Sequence, residues 1–185
     1  MKTKEIECRF LEINKDALVK KLLELGAKDE GEKTLEETII YDPELAWKAK
    51  GRFIRIRRNG DDIRLTYKNH AEHLVGGTTE IEFVIDDHKK AEALFESIGF
   101  VSYRHQQKKR HTFRLNDVTV DIDTWPRIPT YVELAGESEE ALMDAARKLG
   151  FDWKDAEFHN AGWLIENKYK VPVTDLRWFT FDRYE

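Results

Sequence analysis

The feature that most constrains this chain is a two-residue alternation in which one face of strand after strand is ionic and carries mostly one sign. Glu5 and Glu7 share a face, with Arg9 after them; Arg55 and Arg57 share one, Arg64 and Lys68 another, and Glu80 and Glu82 a fourth. Lys108 and Arg110 point one way, then Asp121 and Asp123. Successive side chains of a strand alternate between faces, so the opposite faces read Ile6/Cys8/Phe10, Ile54/Ile56, Ile63/Leu65/Tyr67, Ile81/Phe83/Ile85 and Val118/Val120/Ile122. These apolar faces are the expected core.

Three amphipathic helices are expected to cover that core, each opened by a capping residue and closed by glycine: Asn14 to Gly26, Asp86/Asp87 to Gly99, and Ser138 to Gly150. A fourth is expected over Ala156 to Lys168. Short strands precede the three, and further alternating runs cover Thr38 to Tyr41, Phe53 to Arg58, Ile63 to Lys68, Lys109 to Leu115 and Val118 to Ile122. Asn59-Gly60-Asp61-Asp62 and Asn116-Asp117 read as hairpin turns. About eight strands, mostly antiparallel, with three or four helices make an α+β fold.

Like charges two residues apart on a strand lie roughly 7 Å from each other, which at an effective dielectric of about 20 costs about 2.4 kcal/mol per pair. Opposite charges on neighbouring strands could offset that on an open sheet facing water. Metal ions beside the acids and an anion beside the bases would offset it equally well. The second arrangement describes a polyphosphate–metal site, because guanidinium and ammonium groups match phosphate oxygens and carboxylates take hard cations. A closed eight-stranded antiparallel β-barrel with flanking helices leaves an interior that could hold such a ligand, and this is the expected architecture.

Composition narrows the classes. With 31 Lys+Arg against 36 Asp+Glu the net charge is −5, which disfavours a general nucleic-acid or acidic-membrane binder. No apolar run is long enough for a membrane span or a signal peptide. The lone Cys8 makes no intrachain disulfide, so a reducing cytoplasm is the expected compartment.

Glu5-Ile6-Glu7-Cys8-Arg9-Phe10 resembles the N-terminal ExExK signature of the CYTH superfamily, the triphosphate tunnel metalloenzymes. Further motifs fall in the family order. Phe53-Ile54-Arg55-Ile56-Arg57 resembles its paired-Arg strand, Leu65-Thr66-Tyr67-Lys68 its LTxK strand, and Thr79-Glu80-Ile81-Glu82 its central acidic strand. Lys108-Lys109-Arg110 matches a KxR strand, and Asp123 with Glu133 its late acidic pair. The six motifs cover residues 5 to 135. The chain departs from the pattern at Arg9, where Lys is usual, at Ala135, where a second acid often follows Glu133, and at Thr79, where Arg is common. The resemblance implies a domain over residues 1–169, with the aromatic segment 170–185 as a tail packed on it or on a partner.

By that resemblance, Glu5, Glu7, Glu80, Glu82, Asp123 and Glu133 would hold magnesium or manganese ions. Arg9, Arg55, Arg57, Lys68, Lys108 and Arg110 would grip the triphosphate, and Glu7, Lys68, Asp123 and Glu133 would serve catalysis. The implied partner is a small-molecule triphosphate, ATP or tripolyphosphate, while monomer and homodimer both stay open. Length near 180 residues, the KxR strand thirteen residues before Asp123, and Ala135 look most like the class IV adenylyl cyclase-like branch. Hydrolysis by an inorganic or thiamine triphosphatase is the alternative, and a non-catalytic polyphosphate- or nucleotide-binding module is the third reading. Other signals carry less. His70-Ala71-Glu72-His73 is not a zinc HExxH motif, Gly76-Gly77-Thr78 lacks the Lys-Ser/Thr of a P-loop, and Trp125 to Pro129 reads as a rigid connector.

Overall fold

The computed structural model describes residues 6–69 and 79–185. The expectations at Glu5, His70, His73 and Gly76-Gly77-Thr78 therefore lie outside the described residues, as does the side chain of Thr79. The chain divides into two compact units, Met1–Lys33 with Lys109–Val171, and Thr34–Lys108 with Pro172–Glu185. Strands β2 (Lys28–Tyr41) and β6 (Val101–Leu115) each contribute residues to both.

In the first unit, β1 (Ile6–Phe10), β8 (Tyr131–Gly136), β7 (Val118–Thr124) and the end of β6 pair antiparallel in that order. Helices α1 (Lys15–Glu24) and α4 (Glu139–Leu149) cover one face. Asn14 and Ser138 cap them by accepting from the backbone N–H groups of Ala17 and Ala141, and Gly150 closes α4 at φ 91°. Cys8, Phe10, Leu22, Val120, Ile122 and Leu142 are buried together beneath them. The alternation in sequence thus predicts the core face of this half correctly.

In the second unit, β3 (Arg52–Asn59), β4 (Asp62–Asn69) and β5 (Thr79–Ile85) form a meander beside β2. A one-turn helix α2 (Ala46–Ala49) precedes it, and α3 (His88–Ser97), capped by Asp87, packs on β3. Ile40, Ile54, Ile56 and Leu65 make the core, with Ala91 and Phe95 of α3 against it. The segment after Val171 returns to β6, where β9 (Trp178–Phe179) pairs in parallel with His105 and Gln106.

Three expectations need correction. The sheet is not a closed barrel. Its order is β1-β8-β7-β6-β2-β3-β4-β5, with β9 attached to β6, so β1 and β5 are its two ends. Closure requires those ends to hydrogen-bond to each other. At Arg9 the outer edge of β1 pairs with Glu157 instead, the two exchanging both backbone hydrogen bonds at 2.8 Å. Second, Ile81 and Phe83 are 56% and 53% exposed, and Leu94 and Ile98 of α3 are each 60% exposed. The helix lies over β3, so the β5 end of the apolar face is left uncovered. Third, no helix spans 156–168. Glu157 bridges to β1, and only Ala161–Trp163 (α5) followed by a π-helical turn over Leu164–Lys168 is helical. Among the described residues, no helix is long and apolar enough to cross a membrane.

Candidate functional site

In the first unit, strand register sets Arg9 opposite Glu133, Glu133 opposite Asp121, and Arg110 opposite Asp123. Their side chains therefore meet on one face, across four neighbouring strands. Arg110 donates to both carboxylate oxygens of Asp123 at 2.7 and 2.6 Å, and also reaches Asp121 at 2.6 Å and Glu133 at 3.2 Å. Arg9 bridges Glu7 at 2.8 Å and Glu133 at 2.5 Å, and donates to the carbonyl of His159 at 2.8 Å. Burial alone would depress both guanidiniums, but Glu133 and Glu7 beside Arg9, and Asp123, Glu133 and Asp121 beside Arg110, outweigh it and hold them above their ordinary range.

Behind this cluster, Trp125 donates from Nε1 to the Tyr131 hydroxyl at 3.0 Å, which donates to Asp123 at 3.3 Å. The connector beginning at Trp125 thus orients a site carboxylate. Burial pushes the Asp121 carboxyl up against the pull of Arg110. Among the described residues, Glu7, Asp121, Asp123 and Glu133 set four negative charges against the two of Arg9 and Arg110 in these contacts, a surplus of two.

The second unit has the opposite surplus. Glu37 is fully enclosed at 3% side-chain exposure, 2.5 Å from Arg57 and 4.0 Å from Arg55, and it also accepts from Gln106. Burial would raise its pKa, but Arg57, Arg55, Lys108 and the Gln106 hydrogen bond hold it well below the usual carboxylate range. Arg104 donates to Gln106 at 2.8 Å and to the carbonyl of Val173 at 3.0 Å. Lys68 pairs with Glu80 at 3.0 Å, while Glu82 takes Arg64 at 3.1 Å, Thr66 at 2.8 Å and Arg55 at 3.8 Å. Arg64 is half exposed and shared with Asp62. Among the described residues, Arg55, Arg57, Arg64, Lys68, Arg104 and Lys108 thus stand against Asp62, Glu37, Glu80 and Glu82 in this group, six cations to four anions. Burial and the neighbouring Arg57 depress the Arg55 guanidinium to about 10, and its buried Nε has no acceptor among the described residues. Crowded and incompletely satisfied guanidiniums are what an anionic ligand relieves.

The expected site residues thus fall into two groups. Glu7, Arg9, Arg110, Asp123 and Glu133 come together in the first unit, and Arg55, Arg57, Lys68, Glu80, Glu82 and Lys108 lie in the second. Sequence reasoning missed Glu37, Arg104 and Gln106, and it left Asp121 out. Arg104, Gln106, Lys108 and Arg110 alternate along β6, and that pattern was the available signal. Cys8 is buried, with its thiol pushed up to about 12 by burial, which removes it as a nucleophile.

A cation implied by the resemblance can be tested against this donor set. The carboxylate oxygens are of the type that hard cations take. Among the described residues, however, no three His, Cys, Asp or Glu side chains are grouped to hold an ion by themselves. Magnesium ordinarily uses one or two carboxylates together with water and substrate phosphates, and half-exposed Glu7 together with the acidic surplus fits that mode.

A Methanocaldococcus jannaschii protein named "Putative adenylate cyclase" is 25% identical over 145 residues, 78% of this chain and 81% of that protein. The PH1012 protein of Pyrococcus horikoshii superposes with a TM-score of 0.68 at 24% identity, covering 85% of this chain and 96% of that one. A structure titled as a putative adenylate cyclase from Vibrio parahaemolyticus superposes with a TM-score of 0.74 at 15% identity, covering 88% and 97% of the two chains. The CYTH domain model matches residues 3–156. With most of its length inside that match and the family's charged strands in order, the chain belongs to the CYTH family.

Proposed function

We propose that this protein is a divalent-metal-dependent enzyme acting on a small-molecule triphosphate, with cyclisation of ATP to cyclic AMP and pyrophosphate as its reaction. The observation that carries the reading is the pair of opposite charge surpluses, two negative around Arg110 and two positive around Arg55. The name of the Methanocaldococcus relative supports the choice of cyclisation.

The basic group performs the binding. Arg55, Arg57, Lys68 and Lys108 take phosphate oxygens, and Arg104 holds Gln106 in place against Glu37. Cyclisation forms a bond from the ribose 3′-oxygen to the α-phosphorus, releases the hydroxyl proton to solvent and breaks the bond to the pyrophosphate oxygen. Negative charge then builds on the leaving group, where guanidinium donors lower the barrier. In the acidic group, half-exposed Glu7 with Asp123 or Glu133 would supply one or two carboxylates for magnesium or manganese. When bound, the cation neutralises phosphate charge and orients the in-line displacement. Tyr131 and Trp125 keep Asp123 from rotating out of position.

The test is a panel of ATP, GTP, thiamine triphosphate and tripolyphosphate, each with magnesium or manganese, in which cyclic nucleotide, pyrophosphate and orthophosphate are scored separately. Cyclic AMP with pyrophosphate from ATP is the expected result. Orthophosphate alone would replace cyclisation by hydrolysis. Turnover of none of the four would remove the enzyme reading altogether. Glu133→Gln keeps size and removes charge, so turnover should fall by roughly two or more orders of magnitude and the metal requirement should rise.

A further inference from the structure

We propose that the C-terminal segment Pro172–Glu185 regulates the basic group of the second unit: by fixing Arg104 it fixes Gln106 and Glu37, and through them the Arg55 and Arg57 guanidiniums, so that docking of the segment and binding of phosphate oxygens are linked. The inference rests on the triphosphate reading above and deepens it, because it says what controls the site that grips the phosphates. All of these residues lie within the one compact unit.

The chain of contacts starts at a backbone carbonyl. Val173 is buried, and its carbonyl accepts from Arg104 Nη1 at 3.0 Å. From Nε, Arg104 donates to Gln106 Oε1 at 2.8 Å. A side-chain amide has one acceptor end and one donor end, so an oxygen turned to Arg104 leaves the NH2 group facing the other way, where it donates to Glu37 Oε2. The other oxygen of Glu37 takes Arg57 Nε at 2.5 Å and faces Arg55 at 4.0 Å. Were the amide reversed, its oxygen would meet the carboxylate and its NH2 group the guanidinium, and Arg104 forbids that. The relay thus runs across the neighbouring strands β6, β2 and β3.

Arg104, Gln106 and Glu37 are all buried, and a buried polar network that is fully satisfied holds its members in one arrangement. Both acceptors of Arg104 named above are neutral, one of them supplied by the C-terminal segment. If the segment lifts away, Nη1 loses that acceptor and the orientation of Gln106 is no longer imposed. Arg104 and Gln106 are therefore positioning residues for the guanidiniums that take phosphate.

The segment is attached in a way that lets it open apart from the sheet. Its strand β9 pairs with β6 through only two residues, His105 with Trp178 and Gln106 with Phe179. Phe179 is fully buried, Trp178 stacks on His105 with centroids 4.4 Å apart, and Arg177 lies 4.4 Å over the Tyr103 ring. Gln106 is gripped twice, by backbone register with Phe179 and by its side chain through Arg104 to the Val173 carbonyl. A short pairing at a chain end opens at lower free energy than the core strands. The segment also follows the residues matched by the CYTH model, 3–156, so this dependence is additional to the charged strands of the domain.

The experiment is hydrogen exchange read by mass spectrometry on the full-length protein, with and without saturating magnesium tripolyphosphate, on wild type, Arg104→Met and Gln106→Leu. Calorimetry gives the affinities and thermal melting checks folding. Coupling of ordinary size predicts that the ligand slows exchange in residues 172–185 of wild type by about tenfold, and slows α3 of the same unit less. In Gln106→Leu, Arg104 still holds Val173, so exchange of the unliganded segment should match wild type while its response to ligand disappears and affinity falls by about tenfold. In Arg104→Met the unliganded segment should exchange faster and the response should again be lost. Should Arg104→Met fail to fold, Gln106→Leu, which keeps a side chain of similar volume, carries the test together with the wild-type arm. Segment exchange that ignores bound tripolyphosphate, equal slowing throughout the unit, or a response preserved in Gln106→Leu would overturn the linkage and leave the triphosphate reading in place. Wild-type protein that does not bind tripolyphosphate would overturn both.

Discussion

Removing the charge of Glu37 tests the electrostatics of the basic group most directly. The carboxylate is enclosed, sits 2.5 Å from Arg57 and 4.0 Å from Arg55, and accepts from Gln106. In Glu37→Gln the volume is kept, but Arg57 loses its carboxylate at 2.5 Å and Arg55 loses one of the carboxylates around it, keeping Glu82 at 3.8 Å beside a like-charged neighbour. Removing one partner of a buried pair typically costs about 3 to 5 kcal/mol. Because Arg57 is a quarter exposed and partly solvated, we take the lower end, about 3 kcal/mol. For a chain of this size that is a fall of roughly 6 to 12 °C in melting temperature, or roughly 1.5 M in urea midpoint for a slope near 2 kcal/mol/M.

The pH dependence has a definite sign. The Glu37 carboxyl is depressed below its ordinary value of 4.5 in the fold, so its contribution is complete above that value and is lost as pH falls through the depressed folded value. The gap between wild type and variant should be constant from pH 7 to pH 5 and close only in stronger acid. Sulfate or tripolyphosphate should stabilise the variant more than wild type, since Arg57 and Arg55 have each lost a carboxylate. Urea unfolding followed by tryptophan fluorescence measures all of this. A variant as stable as wild type at pH 7, with no added response to anions, would refute the reasoning.

Two further outcomes follow from the acidic group and its core. Arg110→Met leaves Asp121, Asp123 and Glu133 facing one another, so stability at pH 7 should fall by about 3 to 5 kcal/mol, and magnesium or manganese should restore more stability to the variant than it adds to wild type. Thermal melts with and without the ion decide it, and equal metal responses would count against an acidic cation site. Cys8, buried and pushed up to about 12, should resist a disulfide reagent at pH 8 in the native state and react only on unfolding; fast native labelling would contradict the burial of the β1 core face.

Local sequence was enough to identify most strands, though only the Thr38–Tyr41 end of β2 and the Lys109–Leu115 end of β6, with three capped helices and six charged motifs, because alternation and capping are short-range consequences of backbone geometry. Arg55 beside Arg57 and Asp121 beside Asp123 are legible at two-residue spacing. Glu37 was not. It follows the charged first half of β2, where neighbours alternate poorly, and only its register opposite Arg57 marks it as a buried counter-ion. Residue type likewise could not tell whether like charges along a strand would be balanced by ligands or by neighbouring strands. The structure balances most of them across strands and leaves a surplus of each sign. Barrel closure was beyond the sequence for a related reason. It depends on which backbone meets the outer edge of β1, and at Arg9 that backbone is Glu157, about 150 residues away along the chain. The exposure of Ile81 and Phe83 was undecidable in the same way: an apolar strand face is buried only as far as the helix above it reaches, and α3 lies over β3.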